Sequence, residues 1–229
     1  MTTILDLLFP SKCAFCGNLL ETPGDVCPDC EAALPFRPAG EVLLTVGKNH
    51  YLCAVSAYYS RPVSTGIKAL KFGKKSWRAK TFARYAAQAA EAALSGQFDA
   101  VTYVPVSWRR NFQRGFDQAR LLAEAAARIW DAEAEPTLRK VRHNRAQSSI
   151  TSRTQRAENV KDAYIVPRPD RVQGRRFLLI DDVCTTGSTI SAAADALMAA
   201  GAASVVCATL AGGHRRRAYS EKSADFSKI

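Results

Sequence analysis

Several common features are missing from this 229-residue sequence, and each absence removes a class of protein. No run of about 18 apolar residues occurs, so we expect no transmembrane helix. The P-loop pattern G-x-x-x-x-G-K-[ST] and the dinucleotide fingerprint G-x-G-x-x-G are both absent, which argues against a P-loop NTPase and a Rossmann enzyme. The first ten residues are largely apolar but carry no basic start. We therefore expect a short amphipathic helix there instead of a secretory signal, and a cytoplasmic protein.

Acidic residues are scarce relative to basic ones. The chain has 32 Lys and Arg against 21 Asp and Glu, a formal net charge of +11. Such a surplus favours a polyanionic partner, for example nucleic acid, a phosphorylated metabolite or an acidic membrane surface. A basic solvated surface without a partner would give the same count. Apolar residues make up 47% of the chain, enough for one α/β domain with a small appendage.

The seven cysteines form two groups. An odd count without a secretory signal argues against a disulfide framework. Two C-x-x-C pairs, ten residues apart, offer four thiolates that suit one structural, tetrahedral Zn²⁺: Cys13, Cys16, Cys27 and Cys30. A thioredoxin-like redox pair would need a βαβ setting, which this proline-rich segment lacks. The remaining Cys53, Cys184 and Cys207 lie in apolar runs, and we expect them to be buried.

Beyond the cysteine-rich segment, hydrophobic patterns typical of strands and helices alternate. Strands are expected over 51–59, 99–106, 137–141, 163–166, 176–181 and 204–210, and helices over 63–72, 76–94, 116–130 and 188–200. This alternation predicts an α/β fold with a parallel sheet flanked by helices. We divide the chain into an N-terminal helix and zinc ribbon over 1–45, an α/β domain over 46–211 and a basic tail over 212–229.

The segment 177–189, FLLIDDVCTTGST, combines the features of a phosphate site. An apolar strand leads into a loop of small and hydroxyl residues, and a helix begins directly after it. Backbone N–H groups and the helix dipole favour an anion at such a junction. Gly187 lacks the Cβ that would block a close approach. Hydroxyl donors to the same phosphate are Thr185, Thr186, Ser188 and Thr189.

Two carboxylates, Asp181 and Asp182, stand between this strand and its loop. Ionised carboxylates accept hydrogen bonds, so they suit the cis-diol of a ribose whose phosphate lies in the loop. They could also help to hold a Mg²⁺ that bridges ribose oxygens and pyrophosphate. The plainer interpretation is an ordinary helix N-terminus at which the carboxylates only complement the dipole.

Basic side chains cluster in two further segments. The first, 107–118, is expected to be a loop at the carboxyl edge of the sheet, where guanidinium groups could bind pyrophosphate or simply be solvated. The second, 147–164, is polar and could close over a ligand as a lid. The pyrophosphate and lid candidates are Lys71, Arg109, Arg110, Arg114, Arg153 and Arg156.

Three aromatic residues, Trp77, Trp108 and Phe112, lie near basic residues in the sequence. Aromatic faces stack on unpaired bases and basic side chains follow a nucleic-acid backbone, so these segments could bind single-stranded DNA. Packing in the core is the competing expectation, and we expect it for at least one of the three.

The run of apolar strand, Asp-Asp-x-x-Thr-Thr-Gly-Ser-Thr resembles the binding motif for 5-phosphoribosyl-1-pyrophosphate (PRPP) in type I phosphoribosyltransferases. The resemblance implies that Asp181 and Asp182 bind the ribose hydroxyls and that residues 185–189 bind the 5-phosphate. In the purine salvage members an acidic base stands at the position of Thr185, so their base chemistry is not implied here.

Further motifs narrow the resemblance. LKF at 70–72, RGFDQ at 114–118 and R-x-x-N at 156–159, behind a Cys₄ knuckle, are similar to the ComF family of phosphoribosyltransferase-like proteins over nearly the whole chain. Members usually have Asn where this chain has Asp117. The family is associated with natural competence, the uptake of single-stranded DNA.

Two functions follow from these observations. An enzyme would displace pyrophosphate from C1 of PRPP, with Mg²⁺ and the arginines stabilising the leaving group. A binding module would keep PRPP as a sensed ligand and use its basic surface for single-stranded DNA or for DNA-uptake proteins. A zinc-ribbon transcription or replication factor is a weaker reading, because it leaves 177–189 unexplained.

Overall fold

The computed structural model describes residues 11–38, 42–73, 75–141 and 162–213. The helix expected over 1–10, the lid candidates Arg153 and Arg156, and the tail from residue 214 lie outside these ranges. Within the ranges, every helix is too short or too polar to cross a lipid bilayer.

Strands and helices alternate along the described chain. The strands are β1 (Leu43–Val46), β2 (Tyr51–Tyr58), β3 (Ala100–Tyr103), β4 (Ala134–Glu135), β5 (Arg139–Lys140), β6 (Tyr164–Ile165), β7 (Arg176–Cys184) and β8 (Ser204–Gly212). The α-helices are α1 (Pro28–Ala32), α2 (Val63–Phe72), α3 (Ala79–Leu94), α4 (Trp108–Arg114), α5 (Gln118–Ala127) and α6 (Ser188–Ala199). Single 3₁₀ turns occupy Ser76–Arg78, Arg128–Trp130 and Pro169–Arg171.

Six strands form one sheet in the order β1-β2-β8-β7-β3-β4. Neighbouring strands are parallel except β1 and β2, which are antiparallel. The carboxyl ends of the parallel strands therefore meet at one edge, where ligands bind in open α/β sheets. Strands β5 and β6 form a separate antiparallel pair. The predicted parallel sheet flanked by helices is confirmed.

Alternate residues of β7 pack into two different apolar layers, as a strand requires. Leu178 and Ile180 join the layer that contains residues of α2, α3 and α5, whereas Phe177 and Leu179 join the layer that contains residues of α6. Each fully buried Leu, Ile or Phe side chain stabilises the fold by about 1.5–3 kcal/mol. Strand β7 is therefore anchored on both faces, and this fixes the position of the residues that follow.

Strand β7 is longer than its apolar pattern predicts. It continues through both carboxylates to Cys184, and Val183 and Cys184 still pair with Ala211 and Gly212 of β8. The sequence predicts a strand that ends at Asp181, because the apolar run stops where the two carboxylates begin. As a result, Asp181 and Asp182 are held on a paired strand and not on a free loop.

The expectation of a loop over 107–118 is wrong, because residues 108–114 form α4. Ser107 precedes the helix in an extended conformation, and Gly115 ends it with φ 82°. The Gly115 N–H donates to the Asn111 carbonyl oxygen at 2.8 Å, which closes the last turn. No residue of α4 is buried, so the helix has no apolar period by which the sequence could reveal it.

Candidate phosphoribosyl site and zinc centre

An ion pair joins the carboxyl end of β7 to the last turn of α2. Lys71 Nζ lies 2.7 Å from Asp182 Oδ2, and the two side chains are 22% and 6% exposed. At this distance the ammonium donates a charge-assisted hydrogen bond to the carboxylate. Burial alone would lower the pKa of Lys71, but Asp182 and Asp181 raise it above its usual value. Lys71 is thus held as a cation against the carboxylates.

The neighbouring carboxyl, Asp181, is also buried. Its Oδ1 accepts the backbone N–H of Asp182 at 2.8 Å. Burial, and then the charge of Asp182, raise the pKa of Asp181 well above its usual value, while Lys71 opposes the shift. A carboxyl with this environment is ready to ionise when a hydroxyl donor or a cation arrives, since either would favour its charged form.

The loop after β7 lines a small hollow formed by residues 183–190. Thr186 Oγ1 and Ser188 Oγ lie 2.9 Å apart, and the Ser188 N–H points to Thr186 Oγ1 at 3.4 Å. Thr185 is exposed at the rim. Gly187, at the N-terminus of the twelve-residue helix α6, has no side chain to cap the helix, and the helix dipole favours an anion at this end.

The backbone itself requires a glycine at residue 187. Its φ is +75°, a left-handed conformation that disfavours side chains. A Cβ built there would lie 2.7 Å from Val46 Cβ. Strand β1, which the sequence does not predict, therefore packs directly under the 185–189 loop and fixes its shape.

Arg37, in the segment that follows the cysteines, also supports this loop. Its Nη2 donates to the Gly213 carbonyl oxygen at 2.6 Å, and its guanidinium lies 4.4 Å from the centre of the Tyr58 ring. The Gly213 N–H donates in turn to the Cys184 carbonyl oxygen at 3.2 Å. The buried Arg37 thus ties the end of β8 to the start of the loop, a role with no signal in the sequence.

The predicted basic residues are only partly brought together. Arg114 Nη1 donates to Gln118 Oε1 at 2.7 Å, and Arg114 lies within electrostatic range of Asp182. Arg110 is half-buried and lies within electrostatic range of Lys140. Arg109 is exposed. Lys71 and Arg114 therefore lie near Asp182, Arg110 lies near Arg114 and Lys140, and Arg109 faces solvent.

Core packing, expected for at least one of the three aromatic residues, is wrong for all of them. Trp77, Trp108 and Phe112 are 43%, 66% and 85% exposed. A fourth aromatic, Phe72, is 73% exposed beside Lys71, and the guanidinium of Arg114 stacks 5.2 Å from its ring centre. We call Phe72, Trp108 and Phe112 the aromatic rim. Phe72 follows Lys71 at the end of α2, and Trp108 and Phe112 lie on α4.

Two site residues are absent from the sequence predictions. Lys140 of β5 and Tyr164 of β6 are paired across the small sheet, and Lys140 Nζ donates to the Tyr164 hydroxyl oxygen at 3.2 Å. Both lie within electrostatic range of Asp181. A two-residue strand is too short to show a hydrophobic period. The sequence therefore predicts the two short strands but gives no sign that Lys140 and Tyr164 belong to the site.

Asp117, where the ComF family usually has Asn, caps helix α5. Its Oδ2 accepts the Val106 N–H at 2.8 Å, and its Oδ1 accepts the Ala119 and Arg120 N–H groups at 3.1 and 3.2 Å. Burial raises the pKa of Asp117, and the backbone donors oppose the rise. A carboxylate can serve all three donors, whereas an amide has only one acceptor oxygen.

The four predicted zinc ligands converge. The sulfurs of Cys13, Cys16, Cys27 and Cys30 all lie within 4.8 Å of one another. Cys16 Sγ and Cys27 Sγ are 3.8 Å apart, which matches the edge of a tetrahedron with Zn–S bonds of about 2.3 Å. Backbone N–H groups of Asn18 and Cys30 point to the sulfurs of Cys16 and Cys27 at 3.5 and 3.4 Å. The donor set fits a structural Zn²⁺ with a closed shell.

The zinc knuckle packs on the helices that lead to the cleft. Phe15 is fully buried, with its ring centre 5.2 Å from that of Phe82 in α3. Arg78 Nη1 donates to the carbonyl oxygens of Ala14 and Phe15 at 2.6 and 2.9 Å. A Cβ on Gly66 of α2 would lie 3.1 Å from the Ala14 oxygen. The knuckle and the helix that carries Lys71 are therefore in direct contact.

The other three cysteines are buried, as predicted. Cys53 and Cys207 are 0% exposed and Cys184 is 4% exposed. They fill the layer that packs against α6.

Family models match both parts of the chain. A phosphoribosyl transferase domain matches residues 117–229, and a double zinc ribbon domain matches residues 4–43. Among solved structures, the allosteric regulatory enzyme of purine biosynthesis is 24% identical with a TM-score of 0.39; the match covers 57% of this chain and 25% of that one.

Named relatives extend over most of the sequence. The DNA utilization protein YhgH of Salmonella typhimurium is 34% identical over an alignment of 212 positions, which covers 86% of this chain and 90% of the relative. Competence protein F of Haemophilus influenzae is 28% identical over 78% of this chain and 75% of its own length. Together with the two domain matches, these relatives show that the chain belongs to the ComF family.

Proposed function

We propose that the cleft at the carboxyl end of β7 binds PRPP or a closely related phosphoribosyl ligand. The observation that carries the proposal is the order of groups along 181–189. Two buried carboxylates, a loop of hydroxyls and an uncapped helix N-terminus follow one another on a strand held from both faces. This order offers acceptors for sugar hydroxyls next to donors for a phosphate.

Each part of the ligand has a complementary group. The ribose hydroxyls would donate to Asp181 and Asp182, and the 5-phosphate would accept from residues 185–189. The pyrophosphate would lie toward Arg110 and Arg114, whose guanidinium groups suit phosphate oxygens. A Mg²⁺ carried by the pyrophosphate would be held by the same two carboxylates, since carboxylate oxygens are its preferred protein ligands.

Thermal unfolding tests this ligand class. Saturating PRPP with Mg²⁺ at about 100 times its dissociation constant would add about 2.7 kcal/mol to the free energy of unfolding. Ribose 5-phosphate should raise the melting temperature less, because it lacks the pyrophosphate, and ATP should not raise it. Equal stabilisation by all three compounds would indicate nonspecific anion binding and would contradict the proposal.

Transfer of the phosphoribosyl group is the reaction that this arrangement supports. The acceptor's lone pair would form a bond to C1 while the C1–oxygen bond breaks, and the electron pair would leave with pyrophosphate. Cationic groups beside the leaving group would lower the barrier by offsetting its charge. Release of pyrophosphate from PRPP should exceed that of an Asp182→Asn control for at least one acceptor. If pyrophosphate is released only at the control's rate across a broad set of acceptors, the protein binds PRPP without transferring its phosphoribosyl group.

A second function, binding of single-stranded DNA, is favoured by the aromatic rim. Three exposed aromatic side chains lie beside Arg109, Arg110 and Arg114 in a chain of net charge +11. Stacking on an aromatic side chain contributes about 1–3 kcal/mol per base. Trp108→Ala with Phe112→Ala should therefore weaken binding of an oligothymidylate, whereas Ile129→Ala, an exposed apolar residue elsewhere (55% exposed), should not.

The salt dependence of the affinity tests whether the protein binds single-stranded DNA through its phosphates. The logarithm of the affinity for single-stranded DNA should fall linearly with the logarithm of the salt concentration, by about 0.7 for each phosphate contact. An affinity for single-stranded DNA that does not change with salt, or that is the same in the Trp108→Ala/Phe112→Ala variant, would count against the DNA-binding function.

A further inference from the structure

The zinc knuckle and the segment after it, which we call the zinc module (residues 11–38), reach the proposed cleft by two separate routes. The first route is α2. A Cβ on Gly66 of this helix would lie 3.2 Å from Phe15 Cα of the knuckle, and Leu70 is buried in the same apolar layer as Phe15. The next residue is Lys71, whose Nζ lies 2.7 Å from Asp182 Oδ2. One helix therefore contacts both the zinc module and the site.

The second route is Arg37, which follows α1, the helix that carries the zinc ligand Cys30. Its backbone N–H donates to the Ser56 carbonyl oxygen of β2 at 3.0 Å, which holds the end of the zinc module on the sheet. Its Nη2 donates to the Gly213 carbonyl oxygen at 2.6 Å, and the Gly213 N–H donates to the Cys184 carbonyl oxygen at 3.2 Å. Because Cys184 precedes the 185–189 loop, Arg37 connects the zinc module to the start of that loop.

The shape of the zinc module depends on its metal. Short segments without a core of their own are ordered by metal ligation, and their folding and metal binding are one equilibrium. The fully buried Phe15 packs on Phe82 of α3 and on Gly66 of α2. Without a metal, the four sulfurs that lie within 4.8 Å of one another are unrestrained, so Phe15 loses the backbone shape that places it on both helices. Only the metal-bound state therefore holds α2 and Arg37 in place.

We propose that the zinc module positions the phosphoribosyl site, so that zinc and the phosphoribosyl ligand bind cooperatively. The inference rests on the proposed function and deepens it, because it names an element that regulates the site. Through α2 the zinc module holds the Lys71 ammonium beside Asp182, and through Arg37 it holds the backbone that leads into the 185–189 loop. A ligand that needs both arrangements favours the metal-bound state, and the coupling must be equal in both directions.

Zinc affinity with and without the ligand measures this coupling. We would titrate the zinc-loaded protein with a chromogenic chelator, alone and with saturating PRPP and Mg²⁺. PRPP should tighten zinc binding about fivefold or more, which is the lower end of typical allosteric coupling. The control is Asp181→Asn/Asp182→Asn, which should not bind PRPP and therefore reports how much zinc the free ligand itself binds. An equal effect of PRPP on the wild type and on this control would overturn the proposal.

Variants of Arg37 separate positioning from stability. Arg37→Met should weaken PRPP binding about fivefold or more and reduce the effect of PRPP on zinc affinity. Arg37→Lys should recover part of both, since its ammonium can still donate to the Gly213 carbonyl oxygen. The control is Arg84→Met, which removes an exposed pair with Asp25 of the zinc module and should leave the PRPP affinity within about twofold. A loss of thermal stability in Arg37→Met with no change in PRPP affinity would contradict a positioning role.

The outcomes separate this inference from the proposed function. If PRPP binds the folded wild type but changes its zinc affinity no more than that of the control, the phosphoribosyl site stands and the coupling is refuted. If PRPP does not bind, the proposed function fails, and Asp182→Asn still tests the α2 route without any ligand. This variant removes the partner of Lys71, a contact that holds α2, so zinc affinity should fall about fivefold or more.

The matched control for Asp182→Asn is Asp170→Asn. Asp170 pairs with Arg168 at 3.2 Å, and both side chains are exposed, so its loss should leave zinc affinity unchanged. Equal zinc affinities of Asp182→Asn and Asp170→Asn would show that the cleft does not act on the zinc module, and would overturn the coupling.

Discussion

Lys71 Nζ lies 2.7 Å from Asp182 Oδ2, so the helix that packs on the zinc knuckle supplies the counter-ion of the site. Lys71, which the sequence predicts as a pyrophosphate ligand, is paired with Asp182, which the sequence predicts as a ribose ligand. The pair places a cation beside a buried carboxyl group. It also links the position of α2, and through α2 the zinc module, to the cleft.

Loss of Lys71 should destabilise the fold. Lys71→Met leaves the carboxylate of Asp182 buried without its cation, and breaking a buried pair in this way costs about 3 kcal/mol. Urea unfolding measures the loss. Adding Asp182→Asn removes the uncompensated charge, so the double variant should recover most of the stability. A double variant as unstable as the sum of the two single variants would show that the pair does not interact.

The phosphate loop should tolerate no side chain at residue 187. Gly187→Ala combines a positive φ with a contact of 2.7 Å to Val46 Cβ, and we expect a loss of about 2–4 kcal/mol. Gly96→Ala is the matched control, since Gly96 has φ +73° but open space around it, and it should cost about 1–2 kcal/mol. Equal losses at the two glycines would mean that packing against β1 does not constrain the loop.

Zinc retention should depend on Arg78. Its guanidinium is buried against the knuckle carbonyl oxygens and lies within electrostatic range of Cys13 and Cys16, where a tetrathiolate zinc centre would carry a net negative charge. Arg78→Met should lower zinc affinity about 10–100-fold, the usual effect of losing an outer-shell partner. Competition with a chromogenic chelator measures this.

Arg84 provides the comparison for Arg78. It pairs with Asp25 at 3.2 Å, with both side chains more than 40% exposed, and exposed pairs contribute little. Arg84→Met should therefore bind zinc with the wild-type affinity in the same competition. Equal zinc affinities of Arg78→Met and Arg84→Met would rule out an electrostatic role for Arg78.

Stability should depend on pH through Asp181. Its folded-state pKa is raised by burial above the unfolded value of 3.8, so the folded chain binds more protons than the unfolded chain. Its contribution to stability is therefore fully present below pH 3.8 and is lost as pH rises through the folded pKa. Asp181→Asn should flatten this part of the pH profile of the free energy of unfolding. An unchanged profile would mean that Asp181 is not the group responsible.

Much of the site was predictable because its signals are local. The 177–189 run contains its own strand, carboxylates, hydroxyls and glycine, and the two C-x-x-C pairs contain all four zinc ligands. The β1 hairpin under Gly187 was not predictable, because its contact depends on strand order. The ion pair between Lys71 and Asp182 was not predictable either, because it depends on how α2 packs against the sheet. Lys140 and Tyr164 meet only because two very short strands pair.

The central claim is a phosphoribosyl site at the end of β7, and isothermal titration of PRPP with Mg²⁺ into the zinc-replete protein tests it most directly. The account predicts saturable binding with one ligand per chain, lost in Asp181→Asn/Asp182→Asn although that variant remains folded by circular dichroism. Absence of binding to the folded wild type, or equal binding to the double variant, would contradict it.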